Sequence, residues 1–210
     1  MPGRCKQDTP TIVSDSIPSL HLASASPRRA EILDALGVSY SVGGVDIDEQ
    51  PLAGEPADEM VLRLASEKAA AARLTRSLPV LAADTVVVVD DSVFGKPQDQ
   101  DDALAMLARL SGRSHYVMTG VAIAWDDGQR TALSVNEVYF RQIGPDEALA
   151  YWQSGEPRGK AGAYAIQGLG GVFVENIQGS YSGVVGLPVF ETAALMAAAG
   201  IDVIKRVMTE

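Results

Sequence analysis

The stretch Leu20-His-Leu-Ala-Ser-Ala-Ser-Pro-Arg-Arg29 decides how this chain begins to fold. Its first residues predict a short apolar strand, and the polar turn that follows leads into a helix. Ser26 suits the N-cap and Pro27 the first helical position, while Gly37 suits the end of the helix. The turn is therefore expected to present free backbone N–H groups at the carboxyl end of a strand.

Two adjacent arginines, Arg28 and Arg29, fall in the first turn of the predicted helix. The helix dipole disfavours cations at this end, unless an anion binds there as well. Guanidinium groups and helix N–H groups would then act together on one phosphate. We interpret the stretch as a phosphate-binding turn. Its spacing is not that of a P-loop, and the alternative is two solvated arginines on a surface helix.

The composition is typical of a soluble globular protein with an acidic surface. The 210 residues carry a formal net charge of −10, which argues against binding of a nucleic-acid polymer. No apolar run is long enough to span a membrane, and residues 1–19 lack the apolar core of a signal peptide. The single cysteine, Cys5, allows no internal disulfide. We therefore predict a cytoplasmic protein with a flexible extension over residues 1–19.

Strand and helix patterns are mixed along the rest of the chain, which predicts an α/β fold with a mixed twisted sheet and flanking helices. The predicted helices cover 27–36, 56–75, 101–110, 145–155 and 187–199, and the predicted extended segments cover 40–49, 79–89, 116–125, 130–140, 172–177 and 183–186. The hairpin over 116–140 and the helix after it are expected to form a second lobe. Residues 20–207 would then form one domain of two lobes with a ligand cleft between them.

Two charged residues interrupt apolar patterns. Lys68 falls on the apolar face of the helix over 56–75, where a lysine either extends its ammonium group to solvent or has a function. Asp84 lies within the apolar run over 79–89, where a carboxylate is costly unless it is paired or bound to a metal. We take Asp84 as the candidate catalytic residue, and the alternative is an aspartate hydrogen-bonded to a nearby turn. The isolated His21 and His115 are interpreted as structural or exposed.

The charged residues form one chemical set. Its basic members are Arg28, Arg29, Lys68 and Lys96, and its acidic members are Asp48, Glu49 and Asp84. The cations can neutralise a polyphosphate, while the carboxylates can hold a divalent cation or activate a water molecule. Mg²⁺ prefers a few carboxylates together with waters and substrate phosphates. The set therefore suits the attack of water on a phosphoryl group.

Seven motifs occur in a fixed order after Leu20. They are Leu22-Ala-Ser-Ala-Ser-Pro-Arg-Arg29, Glu67-Lys-Ala69, Ala83-Asp-Thr85, Gly95-Lys-Pro97, Leu110-Ser-Gly-Arg113, Gly159-Lys-Ala-Gly-Ala-Tyr-Ala-Ile-Gln-Gly168 and Val185-Gly-Leu-Pro188. This ordered set resembles the Maf family of nucleoside triphosphate pyrophosphatases over nearly the whole chain after Leu20. The resemblance implies hydrolysis of a nucleoside triphosphate to the monophosphate and pyrophosphate, with a divalent metal such as Mg²⁺ or Mn²⁺. It also implies a two-lobed α/β fold with a cleft, and a homodimer.

The resemblance also implies roles for individual residues. Asp84 matches the general base of the family. The residues that match its phosphate-binding set are Ser24, Arg28, Arg29, Lys68 and Lys96. Asp48 and Glu49 lie in the acidic segment of the family, and the resemblance does not decide which of them binds the metal.

Three positions separate the branches of the family: Arg28, Thr85 and Gln167. In the branch that resembles an enzyme for 7-methyl-GTP, these positions hold Trp, Gln and Glu. The Arg, Thr and Gln of this chain are similar to the dTTP/UTP branch. A glutamine amide both donates and accepts hydrogen bonds, which suits the edge of a pyrimidine.

The resemblance leaves two other functions open. One, implied by the association of the family with cell division, is a nucleotide-binding regulator of division with negligible turnover. The other is the same hydrolysis with a different substrate, such as 7-methyl-GTP or a modified nucleotide.

Overall fold

The structure is a computed structural model, and it describes residues 11–12 and 19–204. Most of the extension predicted over residues 1–19 therefore lies outside the described residues. Within it, Thr11–Ile12 form strand β1, which pairs antiparallel with a strand of the main sheet. The boundaries predicted for the two-lobed domain, at residues 20 and 207, stay a prediction.

Six helices and eight strands make up the described fold. The helices are α1 (Pro27–Ala35), α2 (Ala57–Arg73), α3 (Gln100–Leu110), α4 (Pro145–Gln153), α5 (Tyr181–Val185) and α6 (Val189–Ala198). The strands after β1 are β2 (Leu20–Leu22), β3 (Tyr40–Val42), β4 (Val80–Val89), β5 (Ser92–Phe94), β6 (Ser114–Trp125), β7 (Gly128–Phe140) and β8 (Val174–Gln178). Short 3₁₀ turns cover Ala161–Ala163 and Leu169–Phe173.

All eight strands join one mixed sheet, which confirms the predicted α/β class. The order is β1-β3-β2-β4-β6-β7-β8, and β5 pairs with the far end of β4. Strand β2 runs parallel to β3 and β4, whereas the long hairpin β6–β7 is antiparallel to its neighbours. Strand β4 is therefore central, as its apolar run predicted. Asp84 lies in the middle of this strand, opposite Gly120 of β6.

Helix α2 packs across β4 and β6 at the level of Asp84. A Cβ atom on Gly120 would lie 2.4 Å from the carbonyl oxygen of Val61, so only glycine lets the helix backbone come this close to β6. The buried face of α2 includes Leu64 and Lys68. The close approach of the helix therefore brings Lys68 to the central strand.

Two large clusters of buried apolar residues lie at opposite ends of the long hairpin. One contains Val117 and Phe140 and packs with residues of α3 and α4. The other contains Ile123 and packs with α1 and α6 through Leu33 and Met196. Among the described residues, no helix is long and apolar enough to cross a membrane.

The extended segment predicted over 183–186 is wrong, because residues Tyr181–Val185 form helix α5. Ser180 caps this helix, since its hydroxyl accepts a hydrogen bond from the N–H of Gly183 at 3.1 Å. Gly186 ends the helix with a φ of +117°. A five-residue helix with a glycine in it has too little periodicity to be predicted from the sequence.

Two further segments differ in extent from the prediction. Of residues 40–49, only Tyr40–Val42 form a strand. The strand predicted over 172–177 begins at Val174, because residues Leu169–Phe173 form a 3₁₀ turn.

Candidate active site

A cavity of about 460 Å³ lies where the turn before α1, the middle of β4 and the buried face of α2 meet. Nine of the ten predicted site residues line it: Ser24, Arg28, Arg29, Glu49, Lys68, Asp84, Thr85, Lys96 and Gln167. The tenth, Asp48, is not among the lining residues. Its Oδ1 atom accepts a hydrogen bond from the N–H of Gln50 at 3.0 Å, in an exposed segment. The structure therefore separates the two neighbouring acidic residues, and places only Glu49 at the cavity.

The ammonium group of Lys68 bridges two carboxylates in this cavity. Its Nζ atom lies 2.6 Å from Oδ1 of Asp84 and 2.6 Å from Oε1 of Glu49. The Lys68 side chain is only 10% exposed, so its ammonium group does not extend to solvent. The Asp84 side chain is 14% exposed, and its partner is this lysine and not a nearby turn. The ion pair offsets the cost of placing both charges in a central strand and a buried helix face.

The charge of Glu49 is also stabilised by its surroundings. Burial alone raises the pKa of Glu49, but the hydrogen bond and charge of Lys68 outweigh this effect. The charges of Lys96 and Arg29 act in the same direction, and the pKa lies below its ordinary value. Glu49 is therefore an anion at neutral pH.

Arg29 donates three hydrogen bonds to acceptors in three different parts of the chain. Its Nε atom donates to the carbonyl oxygen of Gly186 at 2.8 Å, Nη1 donates to Oγ of Ser24 at 3.1 Å, and Nη2 donates to Oγ1 of Thr85 at 3.2 Å. Burial lowers the pKa of Arg29 to about 10, while the charge of Asp84 opposes the shift. The guanidinium group is therefore charged at neutral pH and fixed in one orientation.

Arg29 is supported by a chain of two hydrogen-bonded hydroxyl groups, those of Thr85 and Thr119. The hydroxyl of Thr119, which is fully buried, donates to the carbonyl oxygen of Gly183 at 2.9 Å. The 2.9 Å contact between Thr85 Oγ1 and Thr119 Oγ1 must then use the proton of Thr85. Thr85 therefore has its lone pairs free to accept from Arg29. Thr119 was missed in the sequence, because a threonine in a strand gives no sign of such a contact.

The side chain of Ser26, which was predicted to cap helix α1, does not cap it. Ser26 occupies the N-cap position with an extended backbone, but its side chain makes no capping hydrogen bond. Its Oγ atom is buried and has no hydrogen-bond partner within the described residues. Instead, Oγ of Ser24 accepts the N–H of Ser26 at 3.1 Å. Ser24 therefore organises the turn, and the same oxygen also accepts from Arg29.

The loop that carries Gln167 is anchored by Glu156, which the sequence did not reveal. Oε1 of Glu156 accepts the hydroxyl of Tyr151 at 2.7 Å and the N–H of Gly170 at 2.9 Å. Oε2 accepts the N–H of Leu169 at 2.9 Å. The hydroxyl of Tyr151 also accepts the N–H of Ala165 at 3.0 Å, so Glu156 and Tyr151 together hold the loop on both sides of the exposed Gln167.

Among the lining residues that were not predicted are two with polar side chains, Lys160 and Tyr164. Both belong to the glycine-rich motif at 159–168. That motif does not lie between a clear strand and helix, so its spacing alone did not mark it as a phosphate loop.

The arrangement suits the binding of an anion and the deprotonation of water. Arg28, Arg29, Lys68 and Lys96 supply positive charge, and Asp84 has one carboxylate oxygen, Oδ2, that accepts no hydrogen bond from any described residue. No group of three His, Cys, Asp or Glu side chains in the described part of the chain can hold a metal by itself. Glu49 and Asp84 are two carboxylates, however, which is the number that Mg²⁺ takes when it binds together with substrate phosphates. The residues therefore fit a cation that binds together with a phosphorylated ligand.

In this α/β fold, the central strand of the mixed sheet places the carboxylate of Asp84 in a cavity that is also lined by cations. Such a site is typical of a protein that binds phosphorylated ligands. Residues 19–199 match the family described as Maf-like protein, and this chain belongs to the Maf family.

Curated relatives are similar over most of their length. The chain is 50% identical over 194 residues to a protein named dTTP/UTP pyrophosphatase from Saccharophagus degradans, covering 90% of this chain and 92% of the relative. It is 51% identical over 187 residues to a protein of the same name from Methylobacillus flagellatus, covering 88% and 94%. Among solved structures, a nucleoside-triphosphatase (dITP/XTP pyrophosphatase) from Mycobacterium abscessus aligns with 59% of this chain and 74% of its own, with 17% identity and a TM-score of 0.39.

Proposed function

We propose that this protein is a nucleoside triphosphate pyrophosphatase that hydrolyses dTTP, UTP and modified pyrimidine nucleotides to the monophosphate and pyrophosphate. The observation that carries the proposal is the carboxylate of Asp84, paired with Lys68 in a cavity lined by further cations. The substrates are proposed from the relatives of about 50% identity, which carry the name dTTP/UTP pyrophosphatase.

Asp84 is proposed as the general base. Lys68 holds Oδ1, which leaves Oδ2 to accept a proton from a water molecule in the cavity. As the proton moves to Asp84, the water oxygen forms a bond to the α-phosphorus. The bond from that phosphorus to the bridging oxygen breaks, and pyrophosphate leaves with the bonding electron pair.

The cations stabilise the charge that develops on the phosphoryl oxygens. Arg29 is fixed by its hydrogen bonds to Ser24, Thr85 and Gly186, so that it does not need to reorient during the reaction. Lys68 lies beside the base, and Arg28 and Lys96 extend the positive surface along the cavity. Positioning and charge stabilisation of this kind supply most of the catalysis in phosphoryl transfer.

We propose that Glu49 and Asp84 hold a divalent cation, Mg²⁺ or Mn²⁺, together with the substrate phosphates. Glu49 is preferred to Asp48 because only Glu49 lines the cavity and contacts Lys68. When bound, such a cation neutralises phosphate charge and lowers the pKa of a coordinated water.

Arg28, Thr85 and Gln167 are proposed to select the nucleotide. Gln167 is exposed at the edge of the cavity, where its amide can pair with a pyrimidine. Thr85 acts through Arg29, which it holds by a hydrogen bond. Discrimination by one such group is worth only about 1–3 kcal/mol, so weaker hydrolysis of other triphosphates is expected.

The enzyme is further proposed to act as a cytoplasmic homodimer on free nucleotides and not on nucleic-acid polymers. The net charge of −10 supports the absence of polymer binding. The homodimer is supported by the family resemblance alone, and the location by the single cysteine, Cys5. Light scattering after size-exclusion chromatography measures the mass against the 22.1 kDa of one chain.

Pyrophosphate release from a panel of triphosphates tests the function. The purified protein is assayed with dTTP, UTP, CTP, GTP, 7-methyl-GTP and modified pyrimidine nucleotides, each with Mg²⁺ or Mn²⁺. Preference for dTTP and UTP supports both the reaction and the substrates. Preference for 7-methyl-GTP contradicts the substrate assignment. Release of pyrophosphate from none of them contradicts the reaction and favours a protein that binds nucleotides without turnover.

A further inference from the structure

Lys160 lies on a turn that adjoins the loop of Lys96. The N–H of Gly162 donates to the carbonyl oxygen of Gly95 at 3.1 Å, which ties the two segments together. Lys160 is partly buried and lines the same cavity as Lys96. Its only side-chain hydrogen bond within the described residues is to the carbonyl oxygen of Arg158, at 3.3 Å.

The backbone of this turn is held in an unfavourable conformation. Gly159 and Gly162 have φ angles of +69° and +66°, and Ala163 has a φ of +59° although it carries a side chain. Ala163 is also completely buried. Left-handed backbone at a residue other than glycine is costly, and it is retained mainly where a functional site requires it. Here the strained turn presents Lys160 to the cavity.

Lys160 forms no ion pair with a carboxylate of any described residue. Across the described part of the chain, neither Lys160 nor Arg28 forms an ion pair, whereas Lys68 is paired with both Asp84 and Glu49. Burial lowers the pKa of Lys160, and the positive charge of Arg28 lowers it further, against the opposing charge of Glu156.

Glu156 and Glu31 act on this pair of cations only through their charge, since neither forms an ion pair with Lys160 or Arg28 within the described residues. The oxygens of Glu156 are directed to Tyr151, Leu169 and Gly170, from which they accept hydrogen bonds. Two cations that repel each other across a partly desolvated cavity favour an anion between them.

We propose that Lys160, together with Arg28, binds phosphoryl oxygens of the substrate and holds the pyrophosphate end of the molecule. The inference rests on the proposed function in that its ligand is a polyphosphate. It adds Lys160 to the binding residues that the sequence suggested. An ammonium group donates to phosphate oxygens as a point charge, so arginine at position 160 is expected to serve in its place.

Binding of inorganic pyrophosphate, measured by calorimetry without added metal, tests this inference. We compare the wild type with Lys160→Met, Lys160→Arg and Arg158→Met. Arg158 is the matched control, because it is an exposed cation two residues away that stacks on Trp152 and does not line the cavity. We expect Lys160→Met to weaken binding about tenfold, in line with the loss of one charge-assisted hydrogen bond. Lys160→Arg and Arg158→Met should stay within about twofold of the wild type, which is well below that loss.

The inference is overturned if Lys160→Met binds pyrophosphate as tightly as Arg158→Met does, or if the wild type does not bind it. It is also overturned if Lys160→Met changes the KM for dTTP relative to CTP while pyrophosphate affinity is unchanged, since Lys160 would then contact the base. A protein that hydrolyses no triphosphate but binds pyrophosphate through Lys160 would contradict the proposed function and retain the anion site.

Discussion

Lys68 and Asp84 lie on different elements, α2 and β4, yet Nζ of Lys68 is 2.6 Å from Oδ1 of Asp84. The contact compensates a carboxylate that would otherwise be costly in a central strand. It also engages only one carboxylate oxygen, which leaves the other free for the proton transfer proposed above. The same pair thus stabilises the strand and is consistent with the proposed role of Asp84 as the base.

Asp84→Asn is expected to lower the turnover of dTTP by about 10²–10⁴-fold, the usual contribution of a general base. The asparagine keeps the shape of the side chain and can still accept a hydrogen bond from Lys68, so the fold should persist. Initial rates and circular dichroism measure the two effects. Asp127→Asn, at the exposed turn of the β6–β7 hairpin, is the control. Turnover near the wild-type value in Asp84→Asn would remove this residue from the mechanism.

Glu49→Gln and Asp48→Asn are expected to differ in their requirement for metal. Only Glu49 lines the cavity, so its amide variant should need a higher Mg²⁺ concentration for half-maximal activity, by about tenfold or more. Asp48→Asn should change this concentration little, because Asp48 interacts with the backbone of Gln50 outside the cavity. Titration of activity with Mg²⁺ measures both variants. The opposite order would make Asp48 the ligand.

Thr85→Val should weaken substrate binding by releasing Arg29. The substitution removes the hydroxyl that accepts from Nη2 of Arg29 and donates to Thr119, at nearly constant volume. A buried donor left without a partner costs about 1–3 kcal/mol, so we expect both a higher KM for dTTP and a lower free energy of unfolding. Thr85→Ser keeps the hydroxyl and should behave like the wild type. Equal KM values for the two variants would show that the hydroxyl chain does not position Arg29.

Two of the predicted site residues could be found from the sequence because they break a regular pattern. Asp84 interrupts the apolar run of β4, and Lys68 stands on the apolar face of α2, so each carries a local signal. Glu49 and Asp48 lie in a segment without regular structure, where no periodicity tells which of them faces inwards. The two residues are distinguished only by the tertiary structure, in which Glu49 contacts Lys68 and Asp48 does not line the cavity.

Residues that act through tertiary contacts carry no such signal. Thr119 is one polar residue in a long strand, and Glu156 lies in a loop, yet each holds part of the cavity by hydrogen bonds to distant backbone groups. Helix α5 was missed for the same reason, since Gly183 is packed closely against Ser134 and Asn136 of β7. In each case the contact is made by residues remote in the chain.

Gly120→Ala should displace α2 from the sheet. The new Cβ would lie 2.4 Å from the backbone oxygen of Val61, which cannot rotate away as a side chain can. We expect a loss of about 1–3 kcal/mol in the free energy of unfolding, typical of overpacking, together with lower activity because Lys68 moves with the helix. Gly144→Ala, where nothing lies within 4 Å of the added atom, is the control and should change stability by less than about 1 kcal/mol. Urea unfolding and initial rates measure both effects, and equal stability of the two variants would contradict the close-packing argument.

The stability of the protein should fall as the pH is lowered from about 6.5 towards 4, because the fold buries neutral histidine. Nε2 of His115 lies 2.9 Å from the hydroxyl of Tyr164, and its ring packs edge-on against Phe140. Burial lowers the pKa of His115 to about 4, and that of His21 also to about 4, from 6.5. The unfolded chain therefore binds more protons than the folded chain within this window. The stabilisation is complete above the unfolded pKa and is lost as the pH falls towards the folded value.

Urea unfolding between pH 7.5 and 5 measures this dependence. Each histidine contributes a slope of up to about 1.4 kcal/mol per pH unit. In His115→Phe the ring packing is kept and the titrating group is removed, so the slope should fall by about half while His21 supplies the remainder. The variant is also expected to be less stable at every pH, since the hydroxyl of Tyr164 loses its partner. The slope and not the absolute stability is therefore the decisive quantity, and an unchanged slope would mean that His115 takes up its proton in the folded protein as readily as in the unfolded chain.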